Sequence, residues 1–161
     1  MNNVTVIIPH WGNDEQQDYA VEQCLKSLRE TVPDVHVILS KNGAMCQHHG
    51  DLWLQEQGQC RATNAAIATI DTKWVFVTND DMVYAPGWLE KLAETARRHR
   101  FKFLCPNLVE PRPGAPPFII QPFGGAGGDF DKKAWLSYAE NHREDHVENG
   151  FNLPFLIDRE V

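Results

Sequence analysis

The first part of the chain alternates between short apolar runs and segments with helical spacing of apolar residues. Val4–Pro9 is a β-branched run that ends in proline, which cannot donate to a sheet ladder, so the run predicts a strand that stops there. In Asp18–Val32 the apolar positions recur at helical spacing until Pro33 ends the run. Val35–Leu39 predicts a second strand, and the β-α-β unit predicts parallel strands with a right-handed crossover.

The same alternation continues toward the middle of the chain. Ala44–Gly58 is polar with weak periodicity and predicts a loop with at most one helical turn. Gln59–Ile70 predicts a helix whose alanines can pack closely on a sheet. Trp74–Val77 is aromatic and β-branched, which is typical of a parallel strand covered on both faces. A helix is predicted from Pro86 to His99, and a fourth strand over Phe101–Cys105.

The last third of the chain has a different composition. Asn107–Pro117 holds four of the ten prolines and predicts an extended loop. Phe118–Phe123 predicts a short strand near an edge because it contains a proline. Asp131–His146 predicts a helix, and Leu153–Ile157 a last strand. The order of elements predicts an α/β fold, a Rossmann-like three-layer α/β/α sandwich with a mostly parallel central sheet.

Length and composition limit the organisation and the class of the protein. With 161 residues, 42% of them hydrophobic, the chain predicts one domain, in which the proline-rich break separates residues 1–106 from residues 107–161. No stretch approaches the roughly 20 apolar residues of a membrane helix, and the N-terminus lacks a signal-peptide pattern, so we expect a cytoplasmic protein without a transmembrane segment. A net charge of −7 gives no broad basic face, and no nucleic-acid partner is expected.

The cysteines and histidines do not form a recognisable metal motif. The four cysteines contain no C-x-x-C pair, which predicts reduced thiols rather than a zinc ribbon or a disulfide scaffold. His142 and His146 are four residues apart, but Arg143 stands where a zinc protease needs glutamate, so a solvated helix face is the better interpretation. A second group fits no standard zinc spacing and is polar in context: Cys46, His48, His49 and Cys60.

Glycine and tryptophan residues leave two interpretations open. Gly124–Gly128 does not match G-x-G-x-x-G, and it is either plain turn chemistry or a flexible functional loop. Core packing is the general expectation for the five tryptophans. Trp11 alone lies in a loop beside the predicted ligand pocket.

Three polar residues, Asn79, Asp80 and Asp81, follow the strand at Trp74–Val77 directly. In open α/β sheets, ligands bind in the crevice beyond the carboxyl ends of the strands. Two adjacent carboxylates there offer hard oxygen ligands to a divalent cation such as Mg²⁺ or Mn²⁺. We therefore predict that Asp80 and Asp81 hold a metal-bound nucleotide. Residue type alone favours a solvated turn or a helix cap, and the wider pattern of the chain decides between these interpretations.

An ordered set of motifs resembles family 2 glycosyltransferases of the GT-A fold. The set comprises V-T-V-I-I-P at the first strand, the Asn42-Gly43 turn after the second, Arg61-x-x-Asn64 on the next helix, and V-F-V-T-N-D-D followed by P-G-W-L-E-K-L. Leu153–Val161 looks like the strand and turn that precede the acceptor-side catalytic segment in this family. The resemblance covers nearly the whole chain, and the ordered set is more specific than any single motif.

The resemblance implies transfer of a sugar, with inversion, from a nucleotide-diphosphate-sugar donor to an acceptor that the sequence does not identify. A UDP-sugar is the first expectation for the donor, with Mn²⁺ or Mg²⁺ on its diphosphate. The D-x-D motif of the family falls on Asn79, Asp80 and Asp81. By analogy Asp81 coordinates the metal, and Asp80 lies near the ribose or sugar and also close to the metal.

Further donor contacts follow from the resemblance. Pro9 and His10 are expected to line the base and ribose pocket, with Trp11 next to them. Arg61 and Asn64 are expected to reach the base or the phosphates, although surface positions on a helix are an equally good interpretation. The resemblance also assigns a role to each part of the domain. Residues 1–106 are expected to form the nucleotide-sugar-binding half, and residues 107–161 an incomplete acceptor-side half.

The turn after the second strand departs from the family. An aspartate commonly precedes its Asn-Gly pair and accepts a hydrogen bond from the base, whereas this chain has Lys41 before Asn42. A lysine ammonium only donates hydrogen bonds and cannot replace that acceptor. This substitution leaves the choice of uridine open and makes another base or a phosphate contact plausible, unless Lys41 is simply a solvated loop residue.

The general base is the second departure. In the family it lies in an acidic motif beyond the turn that Leu153–Val161 approaches, so we expect it beyond Val161, with Asp129, Asp131 and Asp158 as substitutes within the chain. An alternative function follows, a catalytically incomplete nucleotide-sugar-binding module. A nucleotidyltransferase is a further alternative, but it would carry a glycine-rich phosphate loop after the first strand, and Pro9–Gly12 is a poor one.

Overall fold

The computed structural model describes residues 3–12, 14–42, 51–54, 58–110, 118–125, 128–142 and 153–160. Within these ranges the chain forms eight strands and four helices. They are β1 (Val4–His10), α1 (Glu15–Thr31), β2 (His36–Asn42), β3 (Leu52–Leu54), α2 (Gln59–Ile67), β4 (Trp74–Val77), α3 (Trp88–His99), β5 (Phe103–Leu104), β6 (Leu108–Glu110), β7 (Phe118–Ile120), α4 (Lys132–Asn141) and β8 (Phe155–Asp158). In the described ranges, no helix combines the length and the apolar character needed to cross a membrane.

Six strands form the central sheet in the order β3-β2-β1-β4-β8-β5. The fully buried β1 lies inside the sheet and pairs in parallel with β2 on one side and β4 on the other. β8 runs antiparallel to both of its neighbours, β4 and β5. Five strands therefore point one way and only β8 points the other way, so the predicted mostly parallel sheet is confirmed.

Helices cover both faces of the sheet because alternate residues of the strands point to opposite sides. On one face Val6, Ile8 and Phe76 pack in one apolar cluster with residues of α1 and α3. On the other face Ile7 and Val77 pack in a second cluster with residues of α2. Ala62 and Ala66 of α2 are fully buried, which lets this helix approach the sheet closely. The predicted three-layer α/β/α sandwich is confirmed.

Two short strands lie where the sequence predicted loops. β3 occupies part of the predicted loop Ala44–Gly58 and pairs in parallel with β2; its three residues are too few to produce a periodic pattern. β6 begins one residue into the predicted loop Asn107–Pro117 and pairs in parallel with β7 in a separate two-stranded sheet. The strand predicted from Phe118 is therefore not at an edge of the central sheet.

Several element boundaries differ from the prediction. β2 continues through Lys41 to Asn42 because strands pair with it on both sides, so Lys41 is a strand residue and not a loop residue. α2 ends three residues before Ile70. α4 ends at Asn141, and the remainder of that predicted helix, with His146, lies outside the described residues. Cys46, His48 and His49, whose spacing fits no standard zinc site, lie outside them as well.

Candidate functional site

The carboxyl ends of β1, β2 and β4 meet at one edge of the sheet. β4 ends at Val77, which pairs with Ile7, whereas β1 continues to His10. The residues after Val77 therefore pass along the end of β1, and the amide of Thr78 donates to the carbonyl of Ile7 over 3.1 Å. This geometry brings Asp80 next to His10, at the carboxyl ends of the strands, where the sequence predicted a ligand-binding crevice.

The segment after β4 is fastened to helices on both faces of the sheet. The carbonyl of Asn79 accepts a hydrogen bond from Cys24 Sγ of α1 at 3.7 Å. On the other face, Asn79 Oδ1 accepts from Gln59 Nε2 of α2 at 3.3 Å. Burial raises the pKa of the Cys24 thiol to about 12, so it keeps its proton and can donate. These contacts hold the backbone from which Asp80 and Asp81 extend.

An aromatic cluster supports the continuation of that segment. The ring of Trp88 lies 4.6 Å from those of Phe76 and Tyr84, measured between centroids. Tyr84 is buried and its hydroxyl hydrogen-bonds to Thr78 Oγ1, and burial raises the pKa of Tyr84 well above its usual value. The Tyr84 amide donates to Ser27 Oγ of α1 at 3.3 Å. The chain that follows the two aspartates is therefore anchored in the core.

Asp80 is held by a buried histidine. His10 Nδ1 lies 2.6 Å from Asp80 Oδ2, and His10 Nε2 lies 3.5 Å from Asp18 Oδ1 of α1. The imidazole is fully buried, whereas the side chains of Asp18 and Asp80 are 29% and 30% exposed. His10 therefore differs from the expectation that it lines the base pocket: it contacts Asp80, and a ligand in the crevice would meet the carboxylate instead.

Asp81 has a more exposed environment than Asp80. It is exposed, and partial desolvation together with the negative charge of Asp80 raises the pKa of its carboxyl group. Among the described residues, neither Asp80 nor Asp81 forms an ion pair with a lysine or arginine. The crevice thus presents two neighbouring carboxylates whose repulsion a bound cation would relieve.

The donor set suits a divalent metal that is shared between protein and ligand. Within the described residues no group of three or more histidine, cysteine, aspartate or glutamate side chains is arranged to hold a metal by itself. Asp81 and the second oxygen of Asp80 are hard oxygen donors, and Mg²⁺ in nucleotide sites is commonly held by one or two carboxylates together with phosphate oxygens. The residues fit this partial coordination.

Other predicted donor contacts lie at the same edge of the sheet. Trp11 directly follows β1 and is 48% exposed, whereas Pro9 is buried inside the sheet. Lys41 is half-buried and pairs with His10 across β1 and β2. Asn42 is the last residue of β2, and its side chain lies outside the described part of the structure. Among the described side chains of this group, Trp11 and Lys41 are therefore the ones that can face a ligand.

The helix residues predicted to reach the donor are exposed. Arg61 lies in the first turn of α2, two residues after Gln59, the residue whose side chain contacts Asn79. Asn64 lies almost one turn further from this end of the helix. Arg61 is thus closer to the crevice along the helix than Asn64 is.

The three candidate general bases each have a local structural partner. Asp129 Oδ1 accepts from the amide of Gly125 at 2.9 Å, and Asp131 Oδ1 caps α4 by accepting from the amide of Ala134 at 2.9 Å. Asp158 is buried in β8 opposite Trp74, the first residue of β4. Because Asp80 and Asp81 follow the other end of β4, Asp158 lies at the opposite edge of the sheet from them.

A groove runs between α1 and the segment that leads into α4. Val83, two residues after Asp81, forms part of it, and its wall combines aromatic, cationic and polar side chains. Its lining residues are Tyr19, Gln23, Lys26, Ser27, Val83, Gly128, Phe130 and Lys132. Val83 is thus close to Asp81 in sequence, and Gly128, Phe130 and Lys132 belong to the second part of the domain.

Two residues of the site are absent from the sequence prediction. The sequence predicts only a helix start at Asp18 and an ordinary loop residue at Gly12. A Cβ on Gly12 would lie 2.6 Å from His10 Nε2 and 2.7 Å from Asp18 Oδ1, so only glycine leaves these two side chains in place. A buried histidine next to a glycine is a weak signal, and the contact with Asp18 depends on how α1 packs, which the sequence does not reveal.

Comparisons with known proteins bear on the fold and on the family of the chain. The fold is similar to that of TarS from S. aureus, a GT-A protein, with a TM-score of 0.55 and 15% sequence identity over 73% of this chain and 23% of TarS. The chain thus spans about a quarter of the length of that protein, and the similarity establishes the fold alone. No curated protein matches the chain. The sequence model described as glycosyl transferase family 2 matches residues 52–148, more than half of the chain, and the chain belongs to this family.

Proposed function

We propose that the chain binds a nucleotide-diphosphate sugar with a divalent metal at the carboxyl ends of β1, β2 and β4, and that it transfers the sugar with inversion to an acceptor hydroxyl. The observation that carries the proposal is the pair Asp80 and Asp81, two carboxylates without a lysine or arginine partner among the described residues, in the crevice of a family 2 glycosyltransferase fold.

In this proposal Asp81 and the second oxygen of Asp80 hold Mn²⁺ or Mg²⁺ against the diphosphate. The metal would neutralise the departing nucleoside diphosphate as a Lewis acid. The protein keeps both carboxylates in place through the contacts of Asn79 with α1 and α2. Because these contacts exist before a ligand arrives, little ordering of the segment is needed on binding.

The base and the phosphates would contact the neighbouring strand ends. Trp11 offers an exposed aromatic face for the base or the sugar. Lys41 can donate to a base carbonyl or a phosphate, so we do not restrict the donor to uridine. Arg61, exposed in the first turn of α2, supplies a second cation on the phosphate side, and Asn64 is the more distant candidate.

We place the acceptor on the side of residues 107–161, in the groove beside Val83. Tyr19 forms part of this groove and is 45% exposed, which suits stacking on a sugar ring. The placement predicts that Tyr19→Ala slows transfer of labelled sugar on a glycan array and leaves the affinity for the nucleotide unchanged. Since Asp129, Asp131 and Asp158 have structural partners, the proposal does not depend on any of them as the general base.

Calorimetry tests the donor half of the proposal. The protein is titrated with UDP, GDP, CDP and TDP, each with and without Mn²⁺. We expect at least one nucleotide to bind only with the metal, and Asp81→Asn to abolish that binding. The matched control is Asp158→Asn, which changes a carboxylate at the opposite edge of the sheet. Loss of binding in both variants, or metal-independent binding, would contradict the assignment of Asp81.

Turnover separates an enzyme from a binding module. If the chain is a transferase, release of nucleoside diphosphate from the bound donor should rise when acceptor glycans are added. Binding without donor hydrolysis or transfer, even at high protein concentration, would instead support the catalytically incomplete module. The two outcomes are measured on the same protein once the calorimetric panel has identified the nucleotide.

A further inference from the structure

His10 is a fully buried polar side chain in contact with the proposed donor site, yet it has no surface of its own in the crevice. It is the last residue of β1 and pairs with Lys41 of β2, which fixes the position of its backbone. Burying an imidazole is costly unless its nitrogen atoms are hydrogen-bonded. A buried histidine in contact with Asp80, a carboxylate of the proposed donor site, therefore suggests a role other than packing in the core.

The contact with Asp80 restricts the orientation of that carboxylate. Nδ1 of His10 lies 2.6 Å from Oδ2 of Asp80. An ionised carboxylate only accepts hydrogen bonds, so Nδ1 carries the proton and donates it to Oδ2. A bond of this kind to a charged acceptor is short and roughly twice as strong as a neutral one. Since Oδ2 is engaged, the second oxygen of Asp80 is the one that can face the crevice.

Asp18 and Gly12 lie next to the Nε2 side of the imidazole. Asp18 Oδ1 lies 3.5 Å from Nε2, a contact between the two atoms that is not a hydrogen bond. The first turn of α1 that carries Asp18 is capped by Asp14, whose side chain accepts from the Gln17 amide at 2.9 Å. A side chain on Gly12 would occupy the space between His10 and Asp18. The ring is thus held from two sides by a helix and by a strand end.

We propose that His10 is a positioning residue that, supported by Asp18 and by the space at Gly12, fixes the side-chain rotamer of Asp80 so that one oxygen stays available to the metal-bound donor. This inference rests on the proposed function and deepens it. His10 acts through Asp80 and touches neither the donor nor the metal. Its loss should therefore weaken donor binding without removing any ligand-contacting group.

The test compares two replacements of His10. His10→Phe keeps an aromatic ring but removes the bond to Asp80, and His10→Asn puts an amide group near the place of Nδ1 so that the bond to Asp80 can be restored. The control is Thr5→Val, which removes a buried polar group from the same strand at its other end, where Thr5 Oγ1 contacts Thr72 Oγ1 at 2.8 Å. For each protein, the Kd for Mn²⁺ and the nucleoside diphosphate is measured by calorimetry, and the unfolding midpoint by thermal denaturation.

We expect His10→Phe to raise the Kd on the order of ten- to a hundredfold, the range of one hydrogen bond to a charged group. His10→Asn should recover a large part of that loss, and Thr5→Val should leave the Kd unchanged even where it lowers the unfolding midpoint as much. An unchanged Kd in His10→Phe, or an equal loss in Thr5→Val, overturns the inference while the proposed function stands. A wild-type protein that binds no nucleotide overturns the proposed function, and this inference with it.

Discussion

Carboxylates lie next to both ends of β4, and their electrostatic environments are opposite. Beyond the carboxyl end, Asp80 and Asp81 lie together, and the charge of Asp80 helps to raise the pKa of Asp81. At the amino end, Asp158 of β8 is buried and has Lys73 Nζ at 3.7 Å and Lys102 Nζ at 3.9 Å. At the carboxyl end the negative charge has no lysine or arginine partner among the described residues. At the amino end two lysines compensate the charge of Asp158.

This difference separates function from stability at the two ends of β4. Carboxylates paired with lysines and with backbone amides, as Asp158 is with the amide of Glu160 at 3.1 Å, stabilise the folded chain. Carboxylates that repel each other reduce its stability and bind cations better. We therefore expect substitutions at the two ends to change binding and stability in opposite ways.

The largest effect is expected for Asp81→Asn. Removing a proposed metal ligand should weaken Mn²⁺-dependent nucleotide binding by about a hundredfold or more. Because the raised pKa shows that the ionised carboxylate is disfavoured in the folded protein, the neutral amide should leave the unfolding midpoint at neutral pH equal or slightly higher. Calorimetry and thermal denaturation of the same samples measure both quantities. An Asp81→Asn variant that is less stable but keeps its affinity for the nucleotide would contradict the assignment of Asp81 to binding.

Gly12→Ala is expected to have the next largest effect. The added Cβ would overlap His10 and Asp18, and overpacking of this kind costs about 1–3 kcal/mol of unfolding free energy. It should also weaken nucleotide binding, because Asp80 loses its orientation. Gly125→Ala is the control, since a Cβ there would meet only Asp129 Oδ1 at an ordinary 3.8 Å. Chemical denaturation of both variants provides the comparison, and equal losses would contradict the role of Gly12.

Asp158→Asn should affect stability alone. The charge that faces Lys73 and Lys102 disappears, but both lysines are exposed enough to be hydrated, so the loss is expected to be about 1–2 kcal/mol. Asp71→Asn, at an exposed position, should change the unfolding free energy by less than about 0.5 kcal/mol. Urea titration measures both values. A clear change in nucleotide affinity for Asp158→Asn would show that the two ends are not independent.

The smallest effect is expected at the surface pair of Lys132 and Glu30, whose Nζ and Oε2 atoms lie 2.5 Å apart on α4 and α1. The hydrogen bond from Lys132 lowers the pKa of Glu30, so the pair stabilises the fold above the ordinary glutamate pKa and loses this contribution as the pH falls through the lowered value. Lys132→Met should lower the unfolding midpoint at pH 7 by at most about 2 °C. The difference from wild type should vanish in acid; a difference that persists there would have another cause.

The sequence was sufficient for the layers of the fold and for the position of the two aspartates. Strands such as Trp74–Val77 have a continuous apolar pattern, and their order predicts the parallel sheet. β3 and β6 were missed because strands of three residues have no usable period and form only when a neighbouring strand supplies partners. The role of His10 could not be predicted because it depends on Asp18, and their contact is set by the packing of α1 against the sheet.

A crystal structure of the protein with Mn²⁺ and the nucleotide selected by calorimetry tests the central claim most directly. The account predicts a metal ion with an Asp81 oxygen at about 2.1 Å and phosphate oxygens on its open positions, with Asp80 Oδ2 still bonded to His10. A nucleotide bound away from the ends of β1 and β4, or a metal that Asp81 does not contact, would contradict it.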